Sequence, residues 1–323
     1  MNILLLRLSS MGDLIHTLPA IEDLSTHRPD VKLDWMCEAS FADIAALHPF
    51  VQNVIPMHWR QWRKQLWQSQ TRSAMMQLRN QLIGKDYQFA LDSQGLIKSA
   101  LFGKFAHTPI VGYDQHSIRE PLASMFYQKK YAVDKYADAI WRNRQLFALA
   151  FGYEFDVDKV VFGAKVPTTV NNIVDNMTPY IVALHATSQD EKLWPETLWF
   201  ELFERLHQQT GFDIYLPWGN DIEKNRAIKW AAQFNYVKLA PKMNLQQAAK
   251  LLADAQSVIG VDTGLLHLAN ALNKPTVGIY LHSNPMLTGV QITPISTNVG
   301  DVGVCPTVDM VFNAWQYCSA AKI

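Results

Sequence analysis

Asp262, Thr263 and Gly264 stand where an apolar, β-branched run, Ser257-Val258-Ile259-Gly260-Val261, passes into a helix-patterned segment that carries His267 one turn further on. A second apolar run, Pro275-Thr276-Val277-Gly278-Ile279-Tyr280, follows. Strand, tight turn, helix, strand is a βαβ unit, with its polar groups at the carboxyl end of the first strand. Ligands of open α/β sheets bind at that end. The free N–H groups of a helix start, helped by the macrodipole, favour a phosphate. Gly264 lets the backbone approach such a group, and Thr263 adds a hydroxyl. Asp262 and Thr263 are equally suited to capping the helix and nothing more. Both readings stand at this point.

Three further clusters have the same placement. The first apolar run ends in Arg7-Leu8-Ser9-Ser10-Met11-Gly12-Asp13. Ser9, Ser10 and Gly12 suit a tight loop, and Asp13 at the helix start could take a proton from a substrate hydroxyl or serve as an N-cap. The pattern is not Gly-x-Gly-x-x-Gly, which disfavours a nicotinamide dinucleotide. The cluster His185-Ala186-Thr187-Ser188, followed by Lys192, offers hydroxyls and a cation to a diphosphate, before Pro195-Glu196 opens a helix. In Pro217-Trp218-Gly219-Asn220-Asp221-Ile222-Glu223, the Glu223 carboxylate could hold ribose hydroxyls or be an ordinary first-turn acid.

The elements that must position these groups alternate. In the first half, strands are expected at 3–8, 31–37, 53–57, 89–92 and 110–112. Helices are expected at 14–24 (interrupted at Pro19), 41–47, 59–83, 97–106 and 136–151. In the second half, strands at 179–185, 213–217, 237–239, 257–261 and 275–280 alternate with helices at 196–210, 221–233 and 245–253. A final helix at 308–321 could pack back on the first domain. Alternation of this kind implies parallel sheets covered on both faces. The expected architecture is α/β, with two doubly wound, Rossmann-like domains facing a central cleft. The polar run after Pro167 sets the boundary, giving domains 1–167 and 168–323. One domain then carries a base, and the other a diphosphate and ribose site, which is the layout of a sugar-nucleotide glycosyltransferase.

Composition sets the outer limits. With 323 residues, 49% hydrophobic and 18% charged, the chain is globular and long enough for two cores. The net charge of zero hides an asymmetry: residues 1–165 hold 19 basic against 16 acidic side chains, and residues 58–130 hold 11 against 4. A basic surface of this kind suits an anionic partner. No zinc-finger, RNP or basic-helix pattern points to nucleic acid. Cys37, Cys305 and Cys318 have neither disulfide nor metal-ligand spacing, which fits a reducing cytoplasm. Met1–Arg7 reads as a buried strand instead of a signal peptide. No apolar run is long enough for a spanning helix.

The order and density of these motifs resemble the bacterial lipopolysaccharide heptosyltransferases of glycosyltransferase family 9, which have the GT-B fold. The matching residues are Ser9-Ser10-Met11-Gly12-Asp13 with His16-Thr17-Leu18-Pro19-Ala20, Asp92-Ser93-Gln94-Gly95-Leu96-Ile97-Lys98-Ser99-Ala100 and Arg119-Glu120-Pro121-Leu122-Ala123-Ser124. In the second half they are His185-Ala186-Thr187, Lys192-Leu193-Trp194-Pro195, Leu216-Pro217-Trp218-Gly219, Pro241-Lys242-Met243 and Val261-Asp262-Thr263-Gly264 with His267. The resemblance runs to about residue 280. Position 188 is Thr in the family pattern and Ser here, which keeps the hydroxyl, and the segment 281–323 departs from the pattern.

The resemblance implies inverting transfer of L-glycero-D-manno-heptose from ADP-heptose to the first Kdo of Kdo2-lipid A. It makes Asp13 the general base and Lys192 the cation that neutralises the leaving diphosphate. It makes Thr187, Ser188, Thr263 and Gly264, with His267 beside them, phosphate contacts. Glu223 becomes a ribose contact, Met243 an adenine contact and Asp262 a donor-sugar contact. Ser9, Ser10, Gly12, Arg60, Arg63, Lys64, Lys98 and Arg119 are expected on the acceptor side. Trp59, Trp62 and Trp67 interleave with that charge and could touch a membrane surface or form a partly buried stripe. No obligatory metal or other cofactor is expected, since no Asp-x-Asp motif accompanies the clusters. The chain is further expected to act as a monomer, peripheral on the cytoplasmic face of the inner membrane. An outer-acting heptosyltransferase, a same-fold sugar-nucleotide epimerase and a silent ADP-sugar binding protein are the alternatives.

Overall fold

The computed structural model describes residues 1–174, 178–187 and 189–321. The chain divides into two compact units, Met1–Lys165 and Val166–Ile323. Among the described residues, each unit holds one parallel sheet of six strands. In the first unit these are β1 (Asn2–Leu6), β2 (Lys32–Glu38), β3 (Val51–Met57), β4 (Phe89–Asp92), β5 (Ile110–Tyr113) and β6 (Lys129–Tyr131). In the second they are β7 (Tyr180–Leu184), β8 (Asp213–Leu216), β9 (Val237–Leu239), β10 (Ser257–Val261), β11 (Thr276–Tyr280) and β12 (Ser296–Gly300).

The strand orders are β3-β2-β1-β4-β5-β6 and β12-β11-β10-β7-β8-β9. In each sheet the chain winds outward one way, returns, and winds outward the other way. The order therefore reverses between β1 and β4 in the first sheet and between β7 and β10 in the second. At such a reversal the two following connections leave on opposite faces, and a crevice opens outside the carboxyl ends of the strands. The sequence brings polar residues to both crevices: Arg7–Asp13 and Ser93–Gly95 to the first, His185–Thr187 and Asp262–Gly264 to the second.

The central strands are the apolar runs. Ile3, Leu4, Leu5 and Leu6 are fully buried between β2 and β4, with Leu6 opposite Met36 and Asp92. Each such side chain contributes about 1.5–3 kcal/mol of burial. In the second sheet β10 lies against β7, with Gly260 opposite Leu184. A Cβ at Gly260 would stand 2.5 Å from that of Leu184, so glycine makes room for the leucine of the neighbouring strand there. Trp194, Trp199, Phe203 and Trp230 pack beneath this sheet in one aromatic cluster.

Several expected elements are divided. The first helix breaks into Met11–Ile15 and Leu18–His27, with Pro19 in the first turn of the second piece, where its missing N–H costs nothing. The 59–83 stretch separates into helices Trp59–Trp62 and Ser69–Ile83. In the last helix, Val308–Ala320, Val308, Val311, Trp315 and Cys318 enter the core of the second unit, against helix Glu196–Thr210 and strands β11 and β12. Strands β6 and β12, each at one edge of its sheet, have no counterpart in the sequence reading.

Candidate active site

The loop after β1 is suspended from the first switch point. The Leu8 and Ser9 N–H groups both donate to Gln94 Oε1, at 2.8 and 3.0 Å. The Arg7 guanidinium is buried and donates to the Ser93 carbonyl at 2.5 Å, Thr17 Oγ1 at 3.2 Å and the Asp13 carbonyl at 3.3 Å. Asp92, fully buried, underlies both partners. Its Oδ1 accepts from the Gln94 and Gly95 N–H groups, and its Oδ2 from Ser99 Oγ and Tyr127 OH at 2.8 and 2.7 Å. Burial pushes the Asp92 pKa up against these hydrogen bonds.

Asp13 occupies the third position of helix Met11–Ile15, not the N-cap. Its Oδ2 accepts from the Ser10 N–H at 2.7 Å and from Ser10 Oγ at 2.9 Å, the acid half of a capping box. Burial alone would raise its pKa. The nearby Arg7 charge and the two Ser10 hydrogen bonds outweigh that and lower it, so the carboxylate stays ionised. The peptide joining Ser9 and Ser10 is cis.

Part of the expected acceptor set gathers beside this loop. Lys98 Nζ donates to Ser9 Oγ at 3.2 Å. Burial lowers the Lys98 pKa, opposed by Glu38 and assisted by the charges of Arg60 and Arg63, so these cations share one electrostatic neighbourhood. Arg60 lies over the Phe41 ring at 5.0 Å, and its N–H donates to Glu38 Oε1. Gly12 is half-buried in the turn before Asp13. Arg119 is exposed, and its backbone N lies near Gly95, whose carbonyl accepts from the Glu120 N–H. Lys64 is exposed beyond the short tryptophan helix, and the structure does not tie it to the loop. The tryptophans separate: Trp62 is buried, Trp59 stands edge-on to Phe102 at 5.5 Å, and Trp67 is 92% exposed.

The second switch point is organised by charge. Lys192 Nζ lies 2.6 Å from Asp262 Oδ2. Ser283 Oγ donates to the same oxygen at 2.5 Å, and His267 Nε2 is 3.5 Å from Oδ1. Thr187 Oγ1 donates to the Asp262 carbonyl at 2.8 Å, joining the β7 and β10 loops. Burial would raise the Asp262 pKa. The His267, Lys192 and Ser283 contacts outweigh it and hold the carboxyl well below the usual range. Thr263 is the N-cap of helix Gly264–Ala271 by backbone position, but its side chain makes no capping bond. Capping is therefore not what occupies the side chains of Asp262 and Thr263. Ser188 lies outside the described residues.

Glu223 is the third residue of helix Asp221–Ala231, where its carboxylate clamps the preceding turn. Oε2 accepts from the Gly219 N–H at 2.6 Å and Oε1 from Asn220 Nδ2 at 2.7 Å. Met243 is half-buried in the turn before helix Leu245–Asp254. Trp218 Nε1 donates to the Ala240 carbonyl at 2.8 Å, which links the β8 end to the β9 end near Met243. His185, buried 5.1 Å from the Trp230 ring, has its pKa pushed down to about 4, first by desolvation and then by Arg226, and is a neutral imidazole. Because the strands are parallel, all these loops follow carboxyl ends along one edge of the sheet.

Sequence reasoning missed Ser283, which follows the carboxyl end of β11 and so could have been found by the rule that found Asp262. It also placed Arg7, Asp92 and Gln94 in its motifs without giving them a role, because residue pattern does not report a buried hydrogen-bond network. Among the described residues, no three His, Cys, Asp or Glu side chains converge as a metal site, and no helix is long and apolar enough to cross a membrane.

Residues 75–310 match the model of glycosyltransferase family 9 (heptosyltransferase). The chain is 41% identical over 290 residues to lipopolysaccharide heptosyltransferase 1 of Pseudomonas aeruginosa, covering 90% of this chain and 81% of that protein. The solved structure of Escherichia coli heptosyltransferase WaaC with ADP superposes with a TM-score of 0.88 at 36% identity, over 97% of this chain and 98% of that one. The same enzyme with ADP-2-deoxy-2-fluoro heptose gives a TM-score of 0.84 at 36% identity, over 98% of each chain.

Proposed function

The chain belongs to glycosyltransferase family 9, the heptosyltransferases, and from that premise we propose that it moves L-glycero-D-manno-heptose from ADP-heptose to the first Kdo of Kdo2-lipid A, with inversion, in building the lipopolysaccharide inner core. The observation that carries this reading is the Lys192–Asp262 pair at the β7/β10 switch point, directly before the helix that starts at Gly264. An ammonium beside a helix N-terminus is what a departing diphosphate requires. Likeness to an enzyme solved with ADP and with a fluorinated ADP-heptose supports the nucleotide.

The first unit supplies Asp13 and the second the donor loops. The acceptor hydroxyl gives its proton to the Asp13 carboxylate, and its oxygen forms the new bond to the anomeric carbon. The bond from that carbon to the ADP oxygen breaks with inversion. Negative charge grows on the diphosphate, where Lys192 and the N–H groups after Thr263 meet it. One carboxylate suffices for a direct displacement, in contrast to the pair used by glycosidases. The lowered pKa of Asp13 keeps it ionised at neutral pH but makes it a weak base, so it acts as the bond forms. Thr187 and His267 border the diphosphate site, Glu223 and Met243 the nucleoside.

Lys98, Arg60, Arg63 and Arg119 meet the acceptor's carboxylates and phosphates. Because that acceptor is a membrane lipid, the protein works peripherally on the cytoplasmic face of the inner membrane, with exposed Trp67 and its basic neighbours toward the lipid.

The test is ADP release from ADP-heptose, with and without de-acylated Kdo2-lipid A, in EDTA. Acceptor-dependent release is expected, unaffected by the chelator. Release that needs a heptosylated core instead makes the protein an outer-acting transferase. Conversion of the donor without acceptor makes it an epimerase.

A further inference from the structure

The segment after β11 takes no part in the reaction proposed above. It begins Leu281-His282-Ser283-Asn284 and runs through β12 to Cys305-Pro306. Two contacts tie it to the stretch that carries Lys192, and a third ties it to the carboxylate that Lys192 pairs with. Ser283 Oγ donates to Asp262 Oδ2, the oxygen that Lys192 Nζ also reaches. His282 Nε2 lies 3.3 Å from Glu191 Oε2, one residue before the lysine. Trp194 Nε1, two residues after it, donates to the Pro306 carbonyl at 3.0 Å. The segment is itself anchored, since the Gly303 N–H donates to the Leu281 carbonyl at 2.8 Å and Asn284 caps helix Pro285–Thr288.

Asp262 is held by His267 at 3.5 Å on Oδ1 and by Lys192 on Oδ2, and a carboxylate with one long contact and one flexible cation can still turn about its Cβ–Cγ bond. A lysine ammonium, a compact charge on a four-carbon stem, then loses its aim with it. Ser283 removes that freedom by placing a second, short hydrogen bond on the oxygen that binds Lys192. The half-buried hydroxyl comes from a different strand end and is fixed by its own backbone anchors. We propose that Ser283 is a positioning residue: by fixing Asp262 it aims the Lys192 ammonium at the diphosphate of the bound nucleotide. The inference rests on the nucleotide part of the proposed function and not on the identity of the acceptor.

The experiment is titration calorimetry of ADP on the full chain, comparing wild type with Ser283→Ala, Ser283→Thr, Ser283→Val, Lys192→Ala and the Lys192→Ala/Ser283→Ala double variant. Thr and Val have the same shape and differ in the hydroxyl, so they separate the hydrogen bond from packing. Loss of a hydrogen bond to a charged group predicts that Ala and Val weaken ADP about tenfold, while Thr stays within about twofold. On the Lys192→Ala background, Ser283→Ala is expected to add less than about twofold, because its effect runs through the lysine. Wild-type affinity in the Val variant overturns the proposal. So does a full tenfold loss that persists without Lys192, which makes Ser283 merely structural. Wild type that does not bind ADP removes the donor reading and this inference together. Wild type that binds ADP yet shows no acceptor-dependent release removes only the acceptor.

Discussion

At the first switch point the loop hangs on hydrogen bonds from its own N–H groups, an amide, a serine and the buried Arg7 guanidinium, with no lysine or arginine, among the described residues, ion-paired to the carboxylate at its rim; at the second it is drawn together by an ion pair. Gln94 and Ser10 do in the first unit what Lys192 and His267 do in the second. Even the floors differ, a buried carboxylate at Asp92 and a buried neutral imidazole at His185. Both arrangements lower the pKa of a carboxylate at the rim, Asp13 in one and Asp262 in the other. Only the second leaves that carboxylate paired with a cation. Two sheets of one wiring thus present opposite chemistry: an acceptor for protons, and a cation for a leaving anion. The topology chooses the place, and a few side chains choose the sign.

Four measurements would break or sharpen this contrast. Asp13→Asn keeps an oxygen to accept from Ser10 and loses the basicity. It is expected to cut kcat about 10³-fold, close to 4 kcal/mol, with under about 1 kcal/mol lost in stability. More than a tenth of the activity surviving would reduce Asp13 to a helix cap.

The floors are separated by acid. His185 is neutral in the fold, with a pKa near 4, and would take up a proton near 6.5 when unfolded. Its contribution to stability is complete above about pH 6.5 and declines by up to about 3 kcal/mol as the pH falls to 4. Denaturant titrations from pH 7 to 4 should flatten in His185→Gln, and an unchanged slope would contradict the assignment. Lys192→Met should lower kcat about 10²-fold, the usual loss when one oxyanion donor is removed. A loss seen in KM alone would mean that the cation binds the ground state and the transition state equally. Charge reversal at Arg63 and Lys64 should raise the acceptor KM several-fold, roughly 1 kcal/mol, and spare the donor. Equal losses for both substrates would take this basic stretch out of acceptor binding.

The wiring was readable because central parallel strands are continuous apolar runs. Strand β4 and helix Glu196–Thr210 fall at the bounds that their residue patterns predict. Among the described residues, the edge strands β3 and β9 were readable and the edge strands β6 and β12 were not. Lys129-Lys130-Tyr131 and Ser296-Thr297-Asn298-Val299-Gly300 pair on one side only, so nothing requires them to be apolar, and lysines there keep an open edge from pairing further. The polar clusters were found because they follow strands; their partners were not. Asp262 and Lys192 are 70 positions apart, and no pattern along the chain reports a contact made across a sheet. Asp13 and Glu223 show a second limit. A first-turn acid that also clamps its own turn is spelled the same whether it acts on a substrate or only on the backbone. The three tryptophans near residue 60 show a third, since Trp62 is buried where the short helix Trp59–Trp62 meets Phe102, while Trp67 is exposed in the turn that follows that helix.

Each unit is one uninterrupted stretch of chain with its own core, and that has a consequence for synthesis. The first unit is closed late: Arg144, on helix Ala139–Phe151, forms its ion pair with Asp23 on helix Leu18–His27 at 2.6 Å and binds the carbonyls of Asp156 and Lys159. A nascent chain shorter than this leaves the apolar side of helix Leu18–His27 without its cover. A chain that has emerged past Lys165 has everything the first core needs, while the second sheet is still being made. At ordinary elongation rates of about 5–20 residues per second, that leaves the first half roughly ten seconds or more to fold before the second can compete with it.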